Sequence, residues 1–280
     1  MRSYGKPQKF VIFSTVTILA VIMLYPLLWM LSSSLKPEFY IFKELGLWPK
    51  HFTLDNYLKG WNGTSGITFT TYFMNSFIIV AGAILGTIIS CSLTAYAFAR
   101  LKFDLRKWLF AIMLVTIMLP YHVVLIPQYI LFNDLGWINT FLPLIIPKFL
   151  ATDAFFIFLM VQFIRGLPLE LDQAATVDGC GPIRIFTRII FPLLTPALVT
   201  TAIFTFIWTW NDFFSQLIYI SNPKLYPVSL ALRNFLDATA QSAWGAMFAM
   251  SILSLVPIFI FFIFFQRMLI EGIATTGIKG

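Results

Sequence analysis

Charged side chains are scarce in this chain of 280 residues. Asp, Glu, Lys and Arg together make up 11% of it, whereas a soluble domain carries about a quarter. Hydrophobic residues make up 59%, and the mean hydropathy is +0.85. A soluble protein this apolar could not cover its surface with polar groups. The composition therefore predicts an all-α protein that crosses the membrane several times.

The sequence contains only two cysteines, Cys91 and Cys180, and two histidines, His51 and His122. Neither a disulfide framework nor a cysteine-based metal site is expected from two cysteines so far apart. The HExxH, GxSxG and GxxxxGK(S/T) patterns of metalloproteases, serine hydrolases and nucleotide-binding loops are also missing. We therefore expect this chain to have no catalytic site and to bind no metal or cofactor.

The apolar runs predict six membrane-spanning helices within a single transmembrane domain over residues 1–280. The third, fourth and fifth runs contain prolines, which membrane helices tolerate where neighbours satisfy the freed carbonyls. The alternative for Ile126–Thr140 is a short helix in the membrane interface. The six predicted spans cover about 10–31, 72–99, 108–132, 142–164, 193–220 and 244–266.

The basic residues indicate the orientation of these spans. The net charge is +7, but no long Lys/Arg run exists, which argues against a nucleic-acid partner. Short loops rich in Lys and Arg mark the cytoplasmic side, and placing both termini in the cytoplasm puts twelve of the 19 basic residues there. These twelve are Arg2, Lys6, Lys9, Arg100, Lys102, Arg106, Lys107, Arg165, Arg184, Arg188, Arg267 and Lys279.

The cytoplasmic stretch 165–191, between the fourth and fifth spans, is more structured than a simple connector. Pro168 suits the first position of a helix, and Gly179 suits a left-handed stop after it. Gly181-Pro182 then opens a second short helix. The Ala174-Ala175 pair leaves a shallow dent in which a side chain of another protein could sit. The alternative is an amphipathic helix pair resting on lipid headgroups.

This stretch resembles the EAA motif of ABC-importer permeases, E-A-A-x3-G-x9-I-x-L-P, with matching spacing throughout. The matching residues here are Gln173-Ala174-Ala175, Gly179, Ile189 and Phe191-Pro192. The resemblance implies that 165–191 is a coupling loop, whose helix seats in a cleft of a cytoplasmic ATPase.

Two positions depart from the motif: Gln173 replaces its glutamate, and Phe191 replaces its leucine. Because Gln173 cannot form an ion pair, we hypothesise that Asp172 or Asp178 makes that contact with the ATPase.

Over the whole chain the sequence resembles the second membrane subunit of the maltose-type carbohydrate permeases. The residues that carry the resemblance are Ser34-Leu35-Lys36-Pro37, Asn75-Ser76, Ala95-Tyr96-Ala97-Phe98-Ala99-Arg100, Leu135-Gly136-Trp137-Ile138-Asn139-Thr140, Trp210-Asn211-Asp212, Gln266-Arg267, Gly272-Ile273 and Gly277-Ile278-Lys279-Gly280. The resemblance implies a permease of the prokaryotic cytoplasmic (inner) membrane that moves an oligosaccharide-type solute by alternating access.

The same resemblance implies the partners. They are a homologous second permease subunit, a dimer of ATPase subunits that holds ATP and Mg, and an extracytoplasmic solute-binding protein. By analogy, the tail Arg267–Gly280 reaches the ATPase dimer interface, and the outer loop Ser221–Ala243 probes the cleft of the binding protein.

The end of the fifth span is the candidate substrate pathway. Aromatic faces beside hydrogen-bonding groups suit a sugar, and the candidates are Trp208, Trp210, Asn211, Asp212 and Gln216. The alternative is an aromatic belt at the outer interface, with Asp212 joining two helices. Lys148 and Asp153, in the fourth span, must face protein or water, either as structural partners or along the path.

The rival interpretation is a self-sufficient secondary transporter or channel, for which Asp153 is the candidate ion-coupling carboxylate. The sequence does not identify the solute: maltodextrins, plant-wall oligosaccharides, acidic uronides and glycerol-phosphate-type solutes all remain open.

Overall fold

The computed structural model describes residues 6–63, 66–236 and 243–277. Within these ranges the regular structure is helical and contains no β-strand, which confirms the all-α prediction. The α-helices are, in chain order, α1 Lys6–Ser34, α2 Asp55–Asn62, α3 Phe69–Arg100, α4 Arg106–Thr116, α5 Tyr121–Asp134, α6 Leu142–Ile145, α7 Ala154–Gly166, α8 Glu170–Val177, α9 Pro182–Ile185, α10 Phe191–Leu193, α11 Thr195–Asn211, α12 Phe214–Tyr219, α13 Val228–Ala231 and α14 Trp244–Gly277.

Four stretches of the described chain are long and apolar enough to cross a membrane. They are Pro7–Ser34, Phe69–Arg100, Leu142–Gly166 and Trp244–Gln266. A fifth crossing results if the bent pair Pro182–Leu193 and Thr195–Asn211, which meet at 73°, counts as one span. The predicted count of six spans is therefore not confirmed.

The predicted third span over 108–132 is not one continuous helix. Helix α4 ends at Thr116 and α5 begins at Tyr121, so the two helices have 11 and 14 residues. Pro120 lies at the break with an extended backbone (φ −60°, ψ 127°). Proline has no N–H to donate and biases the preceding residue away from helix, which explains the interruption.

The predicted fifth span over 193–220 is also interrupted. Helix α11 ends at Asn211, and Asp212 is extended (φ −66°, ψ 110°) before α12 begins at Phe214. The Asp212 carboxylate accepts a hydrogen bond from the Ser215 amide (3.1 Å). This bond stabilises the start of α12 and makes the break at Asp212 a defined turn.

The chain divides into two compact units, and the expectation of a single domain stays a prediction. Unit 1 comprises Met1–Thr70 and Ala231–Val256, and unit 2 comprises Thr71–Leu230 and Pro257–Gly280.

In unit 1, the buried Lys36 donates from Nζ to the carbonyls of Glu44 and Gly46 (2.7 Å each). Burial lowers the pKa of Lys36, and the attraction of Glu44 opposes that shift. Asn56 holds the preceding turn through the carbonyls of Ser34 and Lys36. The Ser34–Pro37 motif therefore has a structural role, which is to fix the turn that follows α1.

In unit 2, Gly82 and Gly86 bring α3 close to the fourth apolar stretch. A Cβ at Gly82 would lie 2.9 Å from the Ile145 side chain, and one at Gly86 would lie 2.7 Å from the ring of Phe149 and 3.0 Å from the carbonyl carbon of Lys148. Such approach of small residues is typical of membrane helix packing.

Gly86→Val is expected to destabilise the chain by about 1–3 kcal/mol, because the added methyl groups must displace the backbone at Lys148. Thermal unfolding in detergent measures the effect. Gly46→Val is the control, since no atom lies within 4 Å of a Cβ built there. Equal stability of the two variants would show that the close packing at Gly86 is unimportant.

Candidate functional site

Unit 2 contains a cavity of about 880 Å³. Its walls come from α3 to α7, α11, α12 and the turns between them. Polar side chains are spread among apolar ones along these walls. Such a mixed lining, with a few polar groups among apolar ones, is typical of small-molecule sites.

Four of the five predicted pathway residues line this cavity: Trp208, Asn211, Asp212 and Gln216. Trp210 does not line it. Its side chain is buried and stacks on Phe206 (centroids 5.5 Å apart, planes at 10°). Residues two apart on a helix face nearly opposite directions, so Trp208 and Trp210 cannot share the cavity face.

Trp208 is an exposed aromatic residue of the cavity wall. Its side chain is 51% exposed, although rings of Phe155, Phe156 and Phe204 lie 5.2–5.9 Å from it. These neighbours hold the indole in place and leave an open face beside the polar groups. This arrangement can stack on the apolar face of a sugar ring.

The polar predicted residues are held by hydrogen bonds at the end of α11. Asn211 donates to the carbonyl of Ile207 (2.8 Å). Gln216 is buried, donates to the carbonyl of Thr209 (3.2 Å), and bonds through Oε1 to Ser229. Ser229 Oγ also lies 3.0 Å from the carbonyl oxygen of Asp212. The turn between α11 and α12 is therefore rigid, which fixes the cavity wall.

Lys148 and Asp153 form an ion pair in the same wall. Lys148 Nζ lies 3.0 Å and 3.1 Å from the two Asp153 carboxylate oxygens. Thr87 donates to Asp153 Oδ2 (3.2 Å), and Ser90 donates to the Lys148 carbonyl (2.7 Å). The two residues are structural partners that also line the cavity.

The sequence reasoning missed several polar lining residues. The interruption between α4 and α5 brings some of them to the wall, and a pattern that predicts one straight helix cannot reveal that. These residues are Thr116, Gln128, Thr152, Thr209 and Ser215.

The coupling loop has the predicted helix–glycine turn–helix form. Helix α8 begins at Glu170, two residues after the predicted start at Pro168. It ends in a left-handed Gly179 (φ +77°). The amides of Gly179 and Cys180 donate to the carbonyls of Thr176 and Ala175 (3.0 and 2.9 Å), which is the Schellman pattern of a glycine stop.

A buried ion pair anchors α8 to α3. Arg100 Nε lies 2.7 Å from Asp172 Oδ2, and the two side chains are 6% and 18% exposed. Arg100 also donates to the carbonyl of Leu167 (2.9 Å). Asp172 is therefore engaged within the chain, which leaves Asp178 as the exposed carboxylate of the two that we considered for the ATPase contact.

The two alanines of the motif face in different directions. Ala174 is exposed, but Ala175 is buried against the core of unit 2. The shallow surface depression expected from the alanine pair is therefore formed by Ala174 alone. The other residues predicted to contact the ATPase also differ in exposure: Gln173, Asp178 and Pro192 are exposed, and Ile189 is half-buried.

The most exposed large apolar side chains of the coupling loop are Val177, at 87% exposure, and Ile183, at 81%. Together with Gln173, Ala174 and Asp178 they form what we call the outer face of the loop. Among the described residues, no cluster of three His, Cys, Asp or Glu side chains could hold a metal ion.

Residues 79–274 match the family model described as the binding-protein-dependent transport system inner membrane component. The chain belongs to this family. It is a membrane permease subunit of an ABC transport system, as the EAA-like motif indicated. The rival interpretation as a self-sufficient secondary transporter or channel is wrong, and Asp153 is ion-paired with Lys148.

Relatives of this permease match almost end to end. The probable ABC transporter permease protein YurM of Bacillus subtilis is 34% identical over 256 residues, covering 91% of this chain and 84% of the relative. The arabinooligosaccharides transport system permease protein AraQ of Halalkalibacterium halodurans is 31% identical over 265 residues, covering 94% and 93%.

The fold is shared with a solved structure. A crystal structure of a bacterial ABC transporter involved in the import of the acidic polysaccharide alginate contains a chain that superposes with a TM-score of 0.82 at 21% identity. The match covers 95% of this permease and 99% of that chain.

Proposed function

We propose that this permease forms part of the translocation path of an ATP-driven importer for an oligosaccharide-type solute. Its partners are a homologous second permease subunit, a dimer of cytoplasmic ATPase subunits that bind ATP and Mg, and an extracytoplasmic solute-binding protein. The observation that carries the proposal is the coupling loop, which is anchored by a buried ion pair and presents an exposed, partly apolar outer face.

The outer face suits docking to another protein. Val177 and Ile183 are large apolar side chains left almost fully exposed, and burying such surface in an interface is favourable. Asp178 adds a charge that can pair with a basic residue of the ATPase.

A mechanical link joins this docking surface to the cavity. Arg100, the last residue of α3, holds Asp172 of α8, and Ile79 of the same helix lines the cavity. The 21 residue steps from Ile79 to Arg100 span about 32 Å of continuous helix. When ATP closes the ATPase dimer, a displacement of α8 is carried along α3 to the cavity wall, and the cavity changes its access from one side of the membrane to the other.

The same link supports the proposed orientation. The basic loop after α3 and the coupling loop lie together, because Arg100 contacts both Asp172 and Leu167. We assign this end of unit 2 and both chain termini to the cytoplasm, since the short loop 100–107 carries four basic residues. Residues 1–5 and 278–280 lie outside the described residues. The backbone of the tail is helical to Gly277, and its proposed place is the ATPase interface.

The cavity supplies the solute contacts in this proposal. Trp208 offers a stacking face, and Asn211, Asp212 and Gln216 offer hydrogen bonds, with Trp210 supporting α11 from behind. The outer loop 221–243 is proposed to face the binding protein, although its residues 237–242 lie outside the described ones. Asn75 holds the described part of this loop through the carbonyls of Lys224 and Tyr226 (2.9 and 3.0 Å).

Asp178→Asn is expected to weaken binding of the ATPase subunit far more than Gln173→Ala. Loss of one partner from a charge pair that becomes buried on docking costs about 2–5 kcal/mol, whereas loss of one neutral hydrogen bond costs about 0.5–1.5 kcal/mol. The measurement is the affinity of the purified permease for its ATPase subunit, together with ATP-driven uptake in liposomes.

Asp134→Asn is the control, because it removes an exposed carboxylate at the end of α5, away from the coupling loop. Equal affinities for Asp178→Asn and Asp134→Asn would rule out Asp178 as the ATPase contact.

A further inference from the structure

The charges of the cavity wall suggest which oligosaccharides the cavity accepts. Among the described residues that line it, three are charged: Lys148, Asp153 and Asp212. The wall therefore carries one positive and two negative charges. A shared fold does not decide the solute, because the solute contacts are made by side chains rather than by the fold.

Lys148, the single cation among the described residues of the wall, is already neutralised. Lys148 Nζ contacts both carboxylate oxygens of Asp153, at 3.0 and 3.1 Å. Thr87 donates to the same carboxylate and helps to hold it in place. A carboxylate of a solute that approached Lys148 would meet the charge of Asp153 as well. It would therefore gain little net attraction.

The second carboxylate of the wall has no such partner. Asp212 Oδ1 accepts from the uncharged backbone amide of Ser215 (3.1 Å), and no cation of the described residues forms an ion pair with it. The side chain is only half-buried and lines the same cavity as Trp208, which stands four positions earlier, the spacing of neighbours on one helix face. Its negative charge therefore acts on a solute stacked at Trp208.

We propose that this cavity wall accepts uncharged oligosaccharides and rejects those that carry carboxylates, with Asp212 as the residue that determines this specificity. The inference rests on the proposed function and narrows its solute class, since acidic uronides become poor solutes. A solute carboxylate about 6 Å from Asp212, at an effective dielectric constant of about 40, binds roughly tenfold more weakly than a neutral group there.

The test compares matched sugars on the full permease, copurified with its partner subunits in nanodiscs and without the solute-binding protein. The probes are maltopentaose, galactopentaose and arabinopentaose, each beside the product in which its primary hydroxyls are oxidised to carboxylates. Equilibrium dialysis gives the ratio of the two dissociation constants for each sugar. We expect at least one neutral sugar to bind about tenfold more tightly than its oxidised form.

Asp212→Asn should reduce that ratio to less than about threefold. Because the ratio compares two sugars on the same variant, a change in hydrogen bonding that affects both sugars alike cancels from it. Asparagine keeps the side-chain oxygen that accepts from Ser215, so the turn is retained. Asp134→Asn, outside the cavity, should leave the ratio unchanged. Raising the salt from about 0.01 M to about 1 M should also reduce the wild-type ratio, because the screening length falls from about 30 Å to about 3 Å.

Two results overturn the inference while leaving the proposed function intact: an oxidised sugar that binds as tightly as its neutral form, or a ratio that Asp212→Asn does not change. If no sugar of either kind binds, the proposed function fails and the inference fails with it.

Discussion

Arg100→Gln is expected to destabilise unit 2 by about 3–5 kcal/mol, because it removes one partner of a buried ion pair and leaves the other charge unpaired. Asp172 is only 18% exposed and has Arg100 at 2.7 Å as its cation. ATP-driven uptake should fall to background even at temperatures where the variant remains folded, since α8 is then no longer tied to α3. Thermal unfolding and uptake by proteoliposomes measure the two effects.

Two further variants distinguish the loss of the Arg100–Asp172 ion pair from a general effect of removing a positive charge. Lys107→Gln removes an exposed cation from the same basic loop and should change neither stability nor uptake appreciably. Arg100→Gln combined with Asp172→Asn replaces the pair with two amides and should recover part of the lost stability. An Arg100→Gln protein as stable and active as Lys107→Gln would contradict the anchoring role of the pair.

Gly179→Trp should abolish docking of the ATPase while leaving the permease folded. Gly179 has a φ of +77°, and no atom lies within 4 Å of a Cβ built there. The free energy of unfolding of the permease thus falls by only about 1–2 kcal/mol, because of backbone strain at this position. In the docked complex the indole must displace a packed neighbour, at a cost of about 3 kcal/mol, or roughly a hundredfold in affinity.

Gly136→Trp is a matched control for this variant. Gly136 also has a positive φ (+69°) and open space around its Cβ, so the substitution brings the same strain at a position outside the coupling loop. ATP-driven uptake should survive in Gly136→Trp and be lost in Gly179→Trp. Loss of uptake in both variants would attribute the effect to strain and not to docking.

Local features of the site could be predicted from the sequence. The glycine stop at Gly179 and the start of a second helix at Pro182 depend on the conformational preferences of single residues, and the structure contains both. The close packing at Gly82 and Gly86 was equally predictable, because a Gly-x-x-x-Gly pattern places both residues on one helix face.

Long-range partners could not be predicted in this way. Arg100 and Asp172 are 72 positions apart, and no periodicity indicates that their side chains meet. Whether Pro120 bends or breaks a membrane helix depends on which neighbours satisfy the freed carbonyls, which a single sequence does not show. Trp208 and Trp210 both looked suitable for a sugar, and only the rotation of α11 against its neighbours placed one in the cavity and the other in the core.

Affinity purification of this permease from its native membrane, followed by reconstitution into liposomes, tests the central claim most directly. The account predicts that an ATP-hydrolysing subunit copurifies with the wild-type chain, that it is lost with Gly179→Trp, and that solute uptake requires ATP. A permease that purifies alone and still moves solute without ATP would contradict the account.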